Sequence, residues 1–262
     1  MKKLSSCVLG AILATVVGTS ALANEKCFDF AVEQATTPVP PYVISGMKIT
    51  KTLIEKMPSN PDLVFIGDSL LMLLDKELKA GLPNKEVFNF SVGSDRTQHA
   101  LWRLEQIPTQ LSHSPKGIVI LLGTNNLSDG GMDACGTFAG LEAVIKKTRE
   151  IWAKAPIFLV TVPPRGADFL QFDKERLLLN ERISKVAGNN VFPVLLSDRE
   201  MTCNQYGRAP LPSNTLACFK ENAYTCGNYK DDNLHLLPPA LKVINAKISA
   251  ASLASIGTDI LK

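Results

Sequence analysis

Residues Asp62-Leu63-Val64-Phe65-Ile66-Gly67-Asp68-Ser69-Leu70 run from an apolar stretch, through a glycine and two polar residues, into a helix-like pattern over 70–79. Consecutive apolar side chains without alternation fit a strand covered on both faces, as in a parallel sheet between helices. The texture recurs: short apolar runs at 87–90, 117–122, 157–162 and 191–196 alternate with amphipathic stretches at 97–106, 137–154, 173–187 and 239–254. This alternation predicts an α/β fold with a five-stranded parallel sheet and helices on both faces.

Upstream of that core, Met1-Lys2-Lys3, an apolar run over 7–17 and the small-residue site Ala21-Leu22-Ala23 read as a secretory signal peptide over 1–23. The apolar run is short for a membrane span. An uncleaved anchor is the alternative reading; otherwise no span is expected after cleavage, and the protein is periplasmic or secreted. Residues 24–46 contain Thr37-Pro38-Val39-Pro40-Pro41 and read as an extended N-terminal arm. The remainder, 47–262, reads as one domain with a cysteine-containing insert at about 198–230.

The formal net charge of +3 drops further when Lys2 and Lys3 leave with the leader. So balanced a chain lacks the basic footprint of a nucleic-acid binder. Five cysteines follow the leader: Cys27, Cys135, Cys203, Cys218 and Cys226. Export permits disulfides, and the odd number leaves one thiol over. No spacing rule selects a pairing; one arrangement joins two insert cysteines and links the third to Cys27 or Cys135. No CxxC pair or neighbouring histidine supplies zinc spacing, so no metal is expected.

In open parallel sheets, ligands bind beyond the carboxyl ends of the strands. There the sequence places Gly67-Asp68-Ser69-Leu70, Ser91-Val92-Gly93-Ser94-Asp95, Gly123-Thr124-Asn125-Asn126 and, after the insert, Asp232-Asn233-Leu234-His235. Ser69 at a helix start suits a nucleophile with backbone N–H groups beside it, although Asp68 or Ser69 also fits an ordinary helix cap. A serine needs a base, and the base needs an orienting carboxylate. Of His99, His113 and His235, only His235 has an aspartate three residues before it, Asp232. Asp231 adjoins it, and an N-cap role for Asp232 is the competing reading. Gly93 and Asn125, together with the Ser69 N–H, can donate hydrogen bonds to an acyl oxyanion, or can be a turn glycine and a loop asparagine. Leu70, Leu71, Met72 and Leu74 fit either an acyl pocket or core. Phe169, Phe172, Tyr206 and Phe219 are placed to cover a cleft.

Taken in order, these four blocks resemble those of SGNH (GDSL) hydrolases over residues 62–240. Within that family, the stretch 89–104, with Asp95, Thr97, His99 and Trp102-Arg103-Leu104, is similar to the catalytic subunits of platelet-activating-factor acetylhydrolase, and Pro164-Arg165-Gly166 adds to the likeness. The resemblance implies a flavodoxin-like three-layer sandwich and hydrolysis of short acyl esters without metal or organic cofactor. It implies Ser69, Asp232 and His235 as catalytic triad, and Ser69, Gly93 and Asn125 as oxyanion hole. Asn126 departs from the aspartate common in the family, and the insert departs from the compact acetylhydrolases. The expected substrate is a small-molecule or glycan ester: a short acyl group, such as acetyl, on a carbohydrate, cell-wall or lipid alcohol. Transfer of the acyl group to a glycan hydroxyl by the same triad, and a non-catalytic glycan-binding role, are the competing functions.

Overall fold

The computed structural model describes residues 27–108, 113–128, 132–202 and 227–262. The leader, and Cys203, Tyr206, Cys218, Phe219 and Cys226 of the insert, lie outside the described residues. Five strands, β1 (Leu63–Gly67), β2 (Val87–Asn89), β3 (Gly117–Leu121), β4 (Ile157–Val160) and β5 (Val191–Val194), form one sheet in the order β2-β1-β3-β4-β5. Every neighbouring pair is parallel. This is the flavodoxin-like order, with its switch point where β1 is flanked by β2 and β3.

The strands are buried on both faces because alternate side chains enter different cores. Val64, Ile66, Ile118, Ile120, Ile157 and Leu159 pack in a cluster with side chains of α5 (Thr97–Glu105), α6 (Ala134–Ile151) and α7 (Asp173–Ser184). Leu63, Phe65, Val119, Leu121, Phe158 and Val160 pack in a second cluster with side chains of α3 (Ser69–Met72), α4 (Asp75–Gly81) and α9 (Pro238–Ile256). Helix, sheet and helix thus make three layers. Full burial of each large apolar side chain contributes about 1.5–3 kcal/mol.

Boundaries follow local chemistry. The stretch predicted over 70–79 divides into α3 and α4 at Leu73 and Leu74, and the helix predicted from 137 begins at Ala134 because the Asp133 side chain caps it, accepting from the Gly136 N–H at 2.6 Å.

Two expectations need correction. Residues 24–46 are not an extended arm: α1 (Asp29–Thr36) lies inside that segment and α2 (Ile44–Glu55) begins in it, with only 37–43 irregular between them. The helix forms because Ala31 and Ala35 dock on a glycine face of α6, where a Cβ at Gly136 would lie 2.7 Å from that of Ala31. The disulfide Cys27–Cys135, with Cα atoms 5.3 Å apart, ties the start of α1 to that of α6. Neither cysteine therefore reaches an insert thiol. The insert opens as a helix, α8 (Asp198–Thr202), and the chain returns through Asn228, whose side-chain amide donates to Glu200 O and Met201 O.

Candidate active site

The register Gly67↔Leu121 brings the ends of β1 and β3 level. A Cβ on Gly67 would lie 2.7 Å from Leu121 O, so this approach admits only glycine. Immediately beyond, Asp68 caps α3, its Oδ1 accepting from the Leu70 N–H at 2.9 Å. Ser69 is the first residue of that helix, where backbone N–H groups have no intrahelical acceptor. The cap reading holds for Asp68, and the Ser69 hydroxyl is left for other partners.

Its partner comes from 166 residues along the chain. His235 Nε2 lies 3.1 Å from Ser69 Oγ, and His235 Nδ1 lies 2.6 Å from Asp232 Oδ2. The other carboxylate oxygen, Oδ1, accepts the N–H groups of Leu234 and His235, both at 2.9 Å. Asp232 is thus the partner of His235, where spacing alone left Asp231 adjoining it. The turn is closed by a bridge between Tyr229 and Leu236 and by the Lys230 N–H to His235 O bond at 2.8 Å. Desolvation pushes the Asp232 carboxyl up, but the hydrogen bonds from the His235 ring and from the two backbone N–H groups outweigh it and hold it at about 2. It is therefore a carboxylate at neutral pH, suited to orienting an imidazole and stabilising its protonated form.

Gly93 lies beside the serine: a Cβ built on it would be 3.9 Å from Ser69 Cβ. Its N–H donates to Met72 Sδ at 3.1 Å. Asn125 is fastened to the same loop, with Nδ2 donating to Asp95 O at 2.9 Å, which leaves the second proton of that amide for another acceptor. Ser69, Asp232 and His235 are hydrogen-bonded to one another; Gly93 and Asn125 stand on adjoining loops at the same sheet edge.

The supports of that edge carry charge. Arg103 is fully buried, ion-paired with Asp95, and donates from Nε to Phe90 O at 3.2 Å and from Nη2 to Gly67 O at 3.3 Å. One guanidinium thereby ties the end of β1 to the loop that carries Gly93. Asn126, also buried, accepts from the Thr97 N–H at 3.0 Å and donates to Thr97 Oγ1 and Gln98 Oε1. An aspartate there could accept from Thr97 but not donate, so the departure from the common family residue has a structural counterpart. Arg165 donates to Thr124 O and Oγ1 at 3.1 and 3.0 Å and lies 5.0 Å above the Phe172 ring, while the Gly166 N–H donates to Asn233 O at 2.8 Å. Burial pushes the Asp68 carboxyl up to about 7, against the pull of the Leu70 N–H and of the Arg165, His235 and Arg103 charges.

The remaining candidates fall elsewhere. His99 Nδ1 accepts the Arg96 N–H at 3.2 Å, and burial lowers its basicity to about 4. The His113 ring sits against Pro61 O, at the opposite end of β1. Leu70, Leu71 and Leu74 belong to the core, Phe169 is buried against Tyr229, and Phe172 is exposed. Asp95, Arg103 and Arg165 are the functional supports that residue chemistry alone does not single out. Their signal in the sequence is only the likeness to the acetylhydrolase stretch. Among the described residues, no group of three or more His, Cys, Asp or Glu side chains is arranged to hold a metal ion, and no helix is long and apolar enough to cross a membrane.

Known proteins resemble this chain in sequence and in fold. The platelet-activating factor acetylhydrolase IB subunit alpha1 of Rattus norvegicus is 37% identical over 112 residues, which are 40% of this chain and 45% of that protein. The match therefore spans less than half of the relative's length. Among solved structures, a GDSL-like lipase from Bacteroides thetaiotaomicron superposes with a TM-score of 0.54 at 16% identity, covering 79% of this chain and 95% of that one. A family two carbohydrate esterase from Clostridium thermocellum superposes with a TM-score of 0.50 at 13% identity, covering 76% and 66%. At such identities these two likenesses speak to fold. The model of the GDSL-like lipase/acylhydrolase family matches residues 65–215, more than half of the chain. With the order of the blocks, the sheet topology and that match in agreement, the chain belongs to the GDSL-like lipase/acylhydrolase (SGNH hydrolase) family.

Proposed function

We propose that the protein is an exported serine esterase that removes a short acyl group, such as acetyl, from a carbohydrate, cell-wall or lipid ester through a Ser69-His235-Asp232 acyl-enzyme mechanism. The observation that carries this reading is the continuous relay of Ser69 Oγ, His235 Nε2, His235 Nδ1 and Asp232 Oδ2, at 3.1 and 2.6 Å. His235 accepts the Ser69 proton as Oγ bonds to the ester carbonyl carbon. The oxyanion that forms is met by the Ser69 N–H, the Gly93 N–H and Asn125 Nδ2. The intermediate collapses as the alkoxy group leaves, taking the proton from the imidazolium. Water, deprotonated by His235, then attacks the acyl-enzyme and releases the carboxylic acid, which restores Ser69.

Export is supported by the leader-like pattern at 1–23 and by the Cys27–Cys135 disulfide, since such bonds persist in oxidising compartments. Short acyl groups are supported by the likeness of the 89–104 stretch to the acetylhydrolase subunits, and Leu70, Leu71 and Leu74, packed in the core, are not available to line a long acyl channel. A fluorophosphonate probe tests the reading directly. Peptide mass analysis should find one adduct, on Ser69, absent from Ser69→Ala. Labelling elsewhere, or aryl acetate turnover undiminished in a folded Ser69→Ala protein, rejects it.

A further inference from the structure

The side chain of Met72 occupies space that the proposed reaction requires. Its sulfur accepts the Gly93 N–H at 3.1 Å, and the atom nearest a Cβ built on Gly93 is the Met72 methyl carbon, at 3.1 Å, ahead of Ser69 Cβ at 3.9 Å. Met72 is three residues after Ser69 on α3, so the two side chains share a helix face. Leu70 and Leu71 are locked in the core while Met72 is half-buried, and an unbranched thioether is the most adaptable apolar side chain that could stand there.

On the reading of Ser69 and Gly93 given above, we propose that Met72 is a specificity-determining residue. Its sulfur holds the Gly93 donor, gives way to the acyl oxygen, and the side chain then forms the wall against which the acyl chain packs. Thioether sulfur is a weak acceptor. It satisfies the N–H without competing strongly against an oxyanion, whose hydrogen bonds are charge-assisted. A neutral ester carbonyl gains less from the exchange than the tetrahedral oxyanion does, so the swap favours the transition state over the ground state. Once displaced, the side chain stays on the Ser69 face of α3, where its bulk meets carbons beyond the acyl methyl group.

The test uses the full chain with p-nitrophenyl acetate, butyrate and octanoate, comparing the wild type with Met72→Ala, Met72→Val and Met72→Leu, each checked by thermal melting. Shortening the side chain should raise the octanoate-to-acetate ratio of kcat/KM about tenfold or more, the scale on which one or two methylenes are discriminated in an apolar pocket. Leucine removes the acceptor and keeps bulk. It should leave the chain-length ratio within about threefold of wild type, because the wall is kept; a tenfold shift in the leucine variant would overturn the role assigned to the bulk of this side chain. If Met72→Ala fails to fold, Met72→Val gives the same comparison with a smaller step. Fluorophosphonate labelling separates the two possible failures. If Ser69 is not labelled in the wild type, the triad reading falls and this proposal with it. If Ser69 is labelled in every variant and the ratio stays within threefold in the alanine and valine variants, only the role of Met72 is overturned.

Discussion

The two halves of the site are built from opposite materials. The Asp232–His235 turn is partly open to solvent, with side-chain exposures of 46% and 26%, whereas Arg103 and Asp95, beneath the Gly93 and Asn125 loops, are 0% and 1% exposed. The difference follows from what each half does in the proposed mechanism. Donors for a developing oxyanion help most when they need no reorganisation, so they belong on loops clamped by buried charge. An imidazole that takes and returns protons needs one firm anchor and some room, which a hydrogen-bonded turn at the surface supplies. Substitutions in the open half should therefore remove activity and spare the fold, while substitutions in the buried half should affect both.

The largest effect expected is from Ser69→Ala or His235→Ala, which should lower kcat for an aryl acetate by about 10⁴–10⁶-fold, as loss of a nucleophile or base does elsewhere. The melting temperature should stay within a few degrees of wild type, because both side chains make only site contacts. A cooperative loss of fold would erase the distinction between the halves. Asp232→Asn should cost about 10³–10⁴-fold in kcat. The amide keeps an acceptor for the Leu234 and His235 N–H groups but cannot supply the charge that stabilises the imidazolium. Full activity in this variant would mean that Asp232 is merely a turn cap.

Asn125→Ala takes the comparison across the site. It should lower kcat by roughly 10²–10³-fold with little change in KM, the usual cost of one oxyanion donor. The substitution also removes the Asn125 Nδ2 to Asp95 O bond at 2.9 Å, so some stability should go with it. A raised KM with kcat unchanged would instead mark Asn125 as a residue that binds ground state and transition state alike.

The open half is the more legible one in the sequence. Its geometry is local: Asp232 and His235 are three residues apart on one turn, and Ser69 closely follows a strand that announces itself by five apolar or glycine residues. The sheet is legible for the same reason, since burial on both faces leaves an uninterrupted apolar run. The buried half is not, because its contacts join residues distant in the chain: Arg103 reaches Gly67 O across 36 positions, and Asn126 reaches Thr97 across 29. Nothing in Trp102-Arg103-Leu104 distinguishes an arginine inside a helix pattern from a solvated one until the β2 loop folds over it. The same limit hides α1. A proline cluster at 38–41 argues for an extended segment, while the burial of Ala31 against Gly136 that stabilises the helix lies more than a hundred residues away. Helical spacing leaves Met72 and its neighbours as pocket or core alike, and cannot tell that three leucines belong to the core while the methionine faces Gly93.

Asn126→Asp sharpens the comparison at a smaller scale. A carboxylate can still accept the Thr97 N–H, but it meets the Gln98 Oε1 acceptor with no proton to offer. An unsatisfied buried polar contact of this kind costs about 1–3 kcal/mol. For a chain of this size that is about 2–4 °C of melting temperature per kcal/mol. The loss in kcat should be smaller than for Asn125→Ala, because the donor at Asn125 survives and only its support is changed.

The last expected effect lies at the join between the halves and is one of sign. Asp68 is fully buried, with Oδ1 accepting from Leu70 and Oδ2 without a hydrogen-bond partner among the described residues, and burial raises its carboxyl from 3.8 to about 7. Between those values the folded protein holds a proton that the unfolded chain has released, so this group makes stability fall as pH rises through the window. In Asp68→Asn, the amide would keep an oxygen for the Leu70 N–H and carry no titratable proton. That variant should therefore melt close to wild type at pH 4 and several degrees above it at pH 8, with the difference growing between. Reading the difference removes the contribution of carboxyls such as Asp232, held at about 2, whose stabilisation is lost only at lower pH. If the variant is instead less stable at pH 8, the Asp68 carboxylate is stabilised by Arg103 and Arg165 more than burial opposes it. The buried charge under the site would then be a full ion network, and the nucleophile would rest on an anion throughout the working range.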